Sequence, residues 1–160
     1  STLLASSAAS DVYKRQFLDL YSGSGAIGIE ALSRGAKEAV LVENARQAIA
    51  VIKDNLTFTK LSPKAVVMEQ DVLSAINRLS GSGVFDIIFM DPPYHLDLEE
   101  RIVPYLLQSS LVKAGSLIIV ETALDTDVDY MYELGCEVER IKEYKTNRHV
   151  FLRVSSETEA

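Results

Sequence analysis

Two kinds of hydrophobic pattern alternate along this chain. Short, nearly continuous apolar runs predict strands at 17–20, 39–43, 65–69, 84–90, 116–121, 136–142 and 149–154. Between them, helical periodicity predicts helices at 26–34, 45–56, 72–79, 97–109 and 127–134. Val and Ile dominate the central runs, as expected where both faces of a sheet are covered. Strand–helix alternation of this kind gives a Rossmann-like, doubly wound, mostly parallel seven-stranded sheet of the α/β class. The stretch from Glu143 to Arg148 is too short for a parallel crossover, so the last strand is expected to run antiparallel. Pro104 falls inside the 97–109 pattern, and that helix should start late or kink there. The Ser80-Gly81-Ser82-Gly83 stretch reads as a plain connector.

The fourth run ends abruptly. Val84-Phe85-Asp86-Ile87-Ile88-Phe89-Met90 is followed by Asp91-Pro92-Pro93-Tyr94. Prolines cannot donate to a sheet ladder, so the chain must leave the sheet at this point. The Asp91 carboxylate and the Pro92 carbonyl remain as acceptors in a stiff turn, with the flat face of Tyr94 beside them. Two acceptors next to an aromatic plate suit a planar group that carries an NH₂, such as a nucleobase with an exocyclic amine.

A second motif joins the first strand to the first helix: Asp19-Leu20-Tyr21-Ser22-Gly23-Ser24-Gly25-Ala26-Ile27-Gly28. Gly23, Gly25 and Gly28 fit the spacing of a dinucleotide loop, where glycine permits a tight turn and close approach of a ligand to the backbone. Glu43 ends the second strand, where an acid can accept from both hydroxyls of a ribose; a charge favoured by a helix N-terminus is the alternative. Asp71 follows the third strand. It can accept from an adenine amino group while the Val72 N–H meets a ring nitrogen, or it can cap the helix at 72–79. These acids surround the carboxyl ends of the first strands, where open α/β sheets bind ligands. The ligand implied is an adenosine, without provision for a pyrophosphate.

Charge modifies this picture. The chain has 160 residues, 48% of them hydrophobic, and a net charge of −7. That suffices for one domain with a real core, but it lacks the overall basic balance of most nucleic-acid binders. Basic residues do gather locally, at Arg140, Lys142, Lys145, Arg148 and Arg153, and at Lys14 and Arg15. No apolar run reaches the length of a membrane span. The single Cys136 excludes an internal disulfide and a Cys-rich zinc site, and it fits a reducing cytoplasm. His95 and His149 have no companions at metal-ligand spacing, so no metal is expected.

The Gly loop with its helix, FLDLYSGSGAIGIEALSRGA (17–36), together with VLVE (40–43), Asp71 and FDIIFMDPPY (85–94), resembles the class I S-adenosylmethionine-dependent methyltransferases. More narrowly, the chain resembles the RsmD-type family, which methylates the exocyclic amine of a guanine in small-subunit ribosomal RNA. The resemblance covers about 17–154. It implies that Asp19, Gly23, Gly25, Glu43 and Asp71 line the site for S-adenosylmethionine, to which the loop spacing adds Gly28 and the ring-nitrogen contact adds Val72, and that Asp91, Pro92 and Tyr94 hold the target base. It also implies ribosomal RNA or a small-subunit particle as partner. Residues 1–16 do not resemble the basic N-terminal segment of that family and read as an unstructured or foreign leader; 17–154 is then the methyltransferase domain and 155–160 a tail. Lys145-Thr146-Asn147 stands where the family has a glycine in its last hairpin, a turn Asn tolerates.

Other readings share parts of this pattern. An amine methyltransferase acting on DNA adenine or protein glutamine would use the same core. A nicotinamide-dependent dehydrogenase would share the Gly loop and Glu43 but has no need of Asp91-Pro92-Pro93-Tyr94. A non-enzymatic cofactor-binding domain would bind without turnover.

Overall fold

A computed structural model describes residues 12–156. These fall into two compact units, one up to Arg78 and one from Leu79. The first contains β1 (Gln16–Leu20), α1 (Ala26–Ser33), β2 (Glu38–Glu43), α2 (Arg46–Thr59), a 3-10 turn at Ser62–Lys64, β3 (Ala65–Glu69) and nearly all of α3 (Val72–Leu79). Its strands run in the order β3-β2-β1, all parallel. The second contains β4 (Ile87–Met90), α4 (Leu98–Leu107), β5 (Leu117–Ala123), a 3-10 turn at Asp129–Glu133, β6 (Cys136–Glu143) and β7 (Asn147–Val154). Here β4 and β5 are parallel, and β7 lies antiparallel between β5 and β6. This is the expected Rossmann-like α/β class, with seven strands and an antiparallel last one.

Periodicity explains the helices. In α2, Ile49, Ile52 and Leu56 form one buried stripe, and in α4 Ile102, Val103 and Leu106 do the same. Both central runs are buried throughout: β4 reads Ile-Ile-Phe-Met, and β5 begins Leu-Ile-Ile-Val. Phe17, Leu18, Leu20, Leu41 and Ile52 anchor the first unit; Ile87, Ile88, Met90 and Leu106 anchor the second. Each such side chain contributes about 1.5–3 kcal/mol on burial. No helix of the described residues is long and apolar enough to cross a membrane.

Some boundaries differ from those the sequence predicts. The 127–134 pattern yields only the 3-10 turn at Asp129–Glu133. The Asp127 carboxylate accepts from the Asp129 N–H at 2.9 Å, which competes with an α-helical start. Val128 and Met131 are both buried, a spacing of three that suits a 3-10 turn, and Gly135 at φ 77° ends it. Strand β4 starts at Ile87 rather than Val84, because the Phe85 N–H is taken by the Leu111 carbonyl at 2.8 Å. Helix α4 begins at Leu98 and runs through Pro104 to Leu107.

The expected leader at 1–16 lies mostly outside the described residues, which begin at 12. Residues 12–16 are integral to the first unit. Val12 is fully buried, Lys14 N–H donates to the Gly35 carbonyl at 2.7 Å, and β1 starts at Gln16. A side chain at Gly35 would place its Cβ 2.5 Å from the Tyr13 ring.

Candidate functional site

Each unit gathers one group of polar side chains at the carboxyl ends of its strands. In the first, Asp19 sits in β1, one residue before its end, and is buried. Its Oδ2 accepts from the Ser22 hydroxyl at 2.7 Å and from the Gly28 N–H at 3.1 Å. This carboxylate therefore ties both ends of the loop together. Tyr21, Gly23 and Gly25 all have positive φ (61°, 59° and 84°), so the chain turns sharply over a few residues.

The glycines differ in purpose. A Cβ on Gly25 would lie 3.2 Å from both Ile52 and Leu41, and one on Gly28 would lie 3.0 Å from Leu41 and 3.1 Å from Asp19 Oδ2. These two let the loop and helix press against β2 and α2. A Cβ on Gly23 would meet nothing within 4 Å. Gly23 faces open space.

Glu43 ends β2 as expected. One carboxylate oxygen accepts from the Gly23 N–H at 2.8 Å and the other from the Ala45 N–H at 3.0 Å. A carboxylate has about four lone-pair positions, so each oxygen keeps capacity for a further donor such as a ribose hydroxyl. The position beside a helix start and a loop-shaping role are thus combined in one side chain. Asp71 takes the cap role: Oδ1 accepts from the Ser74 N–H and Oδ2 from the Ser74 hydroxyl, both at 2.9 Å. The Ser74 N–H bond, reinforced by its hydroxyl, holds the Asp71 carboxyl below its ordinary range. Val72 is buried at the first position of α3, where backbone N–H groups have no partner within the helix.

The second unit places Asp91 and buried Pro92 directly after β4. Burial raises the Asp91 carboxyl to about 7, helped by the charge of Glu121 and a hydrogen bond with it. Tyr94 is 36% exposed, and its hydroxyl donates to Glu121 Oε2 at 2.8 Å. Burial and this bond raise the Tyr94 phenol above its ordinary value. Glu121 Oε1 meets His149 Nε2 at 3.2 Å. Burial pulls the Glu121 carboxyl upward, but the bonds from His149 and Tyr94, with the His149 charge, outweigh it and leave the group below its ordinary range. His149 is buried between an edge-on Phe89 ring (centroids 6.2 Å apart) and the tilted ring of Tyr144 (4.7 Å). Asp91 and Tyr94 are thus brought together through Glu121.

Glu121 and His149 were not among the expected site residues. The signal for Glu121 was present: a lone acid closes the apolar run Leu117–Val120, just as Glu43 closes β2. His149 faces Glu121 because β7 pairs antiparallel with β5, a register that one sequence does not fix in advance. His95, just after the turn, pairs with Asp125 at 3.0 Å and is exposed. A cavity lined by Leu107, Lys113, Leu134 and Val154 lies at the opposite ends of β5 and β7 from Glu121 and His149. No cluster of three or more His, Cys, Asp or Glu arranged for a metal occurs among the described residues.

Comparisons with known proteins agree on the family. The family described as conserved hypothetical protein 95 matches residues 3–154. Ribosomal RNA small subunit methyltransferase D of Haemophilus influenzae is 35% identical over 115 residues, which cover 71% of this chain and 60% of that protein. The protein of the same name from Escherichia coli is 34% identical over 111 residues, covering 69% of this chain and 54% of its own length. The chain therefore spans little more than half the length of these curated relatives. Among solved structures, a conserved hypothetical protein of Streptococcus pyogenes superposes with a TM-score of 0.81 at 30% identity, covering 88% of this chain and 86% of its own. With a family match over nearly its whole length, a glycine loop shaped by Asp19 and Glu43, and the acceptor cluster after β4, the chain belongs to the conserved hypothetical protein 95 family, the RsmD-type family that its motifs resemble.

Proposed function

We propose that this protein uses S-adenosylmethionine to methylate the exocyclic amine of a guanine in small-subunit ribosomal RNA, in the cytoplasm. The observation that carries the reading is the turn after β4, where Asp91 and Tyr94 converge on Glu121. The names of the Haemophilus and Escherichia relatives supply the substrate class. The first unit fits the cofactor: Gly23 opens onto free space, and the Glu43 carboxylate retains acceptor capacity toward a ribose. Gly23, Glu43, Asp71 and Val72 would hold it, with Asp19, Gly25 and Gly28 fixing the loop. When bound, that group supplies an electrophilic methyl on a sulfonium.

An exocyclic amine is a poor nucleophile because its lone pair is delocalised into the ring. The ionised Asp91 carboxylate and the Pro92 carbonyl accept its two hydrogens and bias the nitrogen toward a tetrahedral shape. Tyr94 stacks on the base, a contact worth about 1–3 kcal/mol by analogy with single-strand binders. A base within a duplex has to be flipped out first. Catalysis rests on positioning and electrostatics. The raised Asp91 carboxyl sets a condition: below about 7 it holds a proton and loses one acceptor site. The dehydrogenase reading gives these acceptors no task.

The test is methyl transfer from radiolabelled S-adenosylmethionine to small-subunit particles, with the modified base identified by mass spectrometry. Asp91→Ala should lose about a hundredfold or more in rate, by analogy with oxyanion-hole donors, while binding of S-adenosylhomocysteine by calorimetry stays near parent. Transfer at the parent rate by Asp91→Ala, or methyl groups on atoms other than a guanine amine, would refute the reading.

A further inference from the structure

Glu121 takes part in none of the motifs that mark the family resemblance, yet it joins three polar groups of the second unit, Tyr94, His149 and Asp91. Its two oxygens are divided. Oε2 accepts from the Tyr94 hydroxyl at 2.8 Å, and Oε1 faces His149 Nε2 at 3.2 Å. An ionised carboxylate only accepts, so His149 donates through Nε2. His149 is 5% exposed, wedged against Phe89 and Tyr144, and its Nδ1 is buried without a hydrogen-bond partner. A histidine fixed so firmly leaves Glu121 little freedom. Glu121 in turn holds a tyrosine that is otherwise on the surface.

We propose that Glu121, seated on buried His149, is a positioning residue that clamps the Tyr94 hydroxyl and so presets the ring that receives the target base. This inference rests on the methyl-transfer reading above. Glu121 positions Tyr94 and also bears on Asp91 by its charge and a hydrogen bond, without itself touching the reacting atoms. A loosely held surface tyrosine would lose rotamer freedom each time a base stacked on it. A clamped one has lost that freedom before the base arrives. The clamp explains why a hydroxylated ring stands at the end of Asp91-Pro92-Pro93-Tyr94, since stacking alone needs only a ring. It also explains why a carboxylate follows the apolar run Leu117–Val120 within β5.

Two measurements test the proposal together. The first needs no ligand: the ¹³Cζ resonance of Tyr94, assigned by its loss in Tyr94→Phe, reports the bond to Glu121. It should move in Glu121→Gln, and in His149→Ala more than in His149→Gln, which keeps a donor. The second is a double-mutant cycle on methyl transfer to small-subunit particles at pH 9, where Asp91, raised only to about 7, is ionised with or without the Glu121 charge. Glu121→Gln and Tyr94→Phe should each raise KM on the order of tenfold, the worth of one such hydrogen bond. The double variant should be little worse than either alone, because both remove the same contact.

Losses that multiply in the double variant, in a parent that methylates normally, would overturn the positioning role and leave the methyl-transfer reading intact. An unmoved Tyr94 resonance in Glu121→Gln would overturn the clamp itself. A parent that transfers no methyl, with the resonance still responsive, would overturn the methyl-transfer reading, and the role in catalysis with it.

Discussion

Replacing Asp91 by Asn should stabilise the protein above neutral pH. Burial and the Glu121 charge lift the Asp91 carboxyl from 3.8 to about 7. In the unfolded chain it titrates near its ordinary value. Between those limits the folded protein holds a proton that the unfolded chain has released, so stability falls as pH rises through this window. Above about 7 the full cost is present; below 3.8 it vanishes. Full shielding would make that cost about 4 kcal/mol. Asp91 is partly open to solvent, and screening reduces the figure to about 1–2 kcal/mol. Asn keeps the shape and sheds the charge. Asp91→Asn should therefore melt about 3–6 °C above the parent at pH 8, for a chain of this size, and together with it at pH 4. Calorimetric melting of both proteins across that range is the assay. Equal melting temperatures at pH 8, or an advantage independent of pH, would show that the carboxyl is not strained. The activity that Asp91 is proposed to provide would then carry no cost in stability, against the usual trade-off at functional sites.

Three further outcomes are expected. Gly28→Ala brings a Cβ to 3.0 Å from Leu41 and 3.1 Å from Asp19 Oδ2, and urea denaturation should show a loss of about 1–3 kcal/mol from overpacking. Asp71→Ala removes the cap of α3 and should lower the urea midpoint; an undisturbed midpoint would mean that its bonds to Ser74 contribute nothing. Val12→Ala should cost about 1–2 kcal/mol for the lost burial of a side chain that is fully enclosed, whereas a passive leader would show no change.

The strands were legible because their signals are local. Alternating apolar runs and helical stripes placed β3 at 65–69 and α3 at 72–79 as the structure has them. The antiparallel β7 followed from a short connection alone. The 127–134 segment failed because its buried residues are too few, and the Asp127 side chain competes with the backbone for the Asp129 N–H. At the site, Glu43 and Asp91 were readable as acids that end strands. Asp19 was readable as a position but not as the group that binds the loop together, whereas the helix cap of Asp71 was one of its two readings. Glu121 and His149 depend on cross-strand register between β5 and β7, with twenty-odd residues of chain intervening, and periodicity carries no information about which residues will face each other.

The placement of β7 between β5 and β6 has a kinetic consequence. Ribosomes deliver β5 and β6 before β7, yet β5 has only β4 beside it and β6 has no partner until β7 enters between them. Until residues 147–154 emerge, β5 presents an unpaired apolar edge, and β6 has no neighbour in the sheet. Closing this unit is therefore a late event of non-local pairing, slow relative to the helices. His149 arrives on the same strand, so Glu121 gains its buried donor only when that edge is sealed. Nascent chains stalled before residue 147 should expose the β5 edge to chaperones or to aggregation, while chains stalled beyond 154 should not.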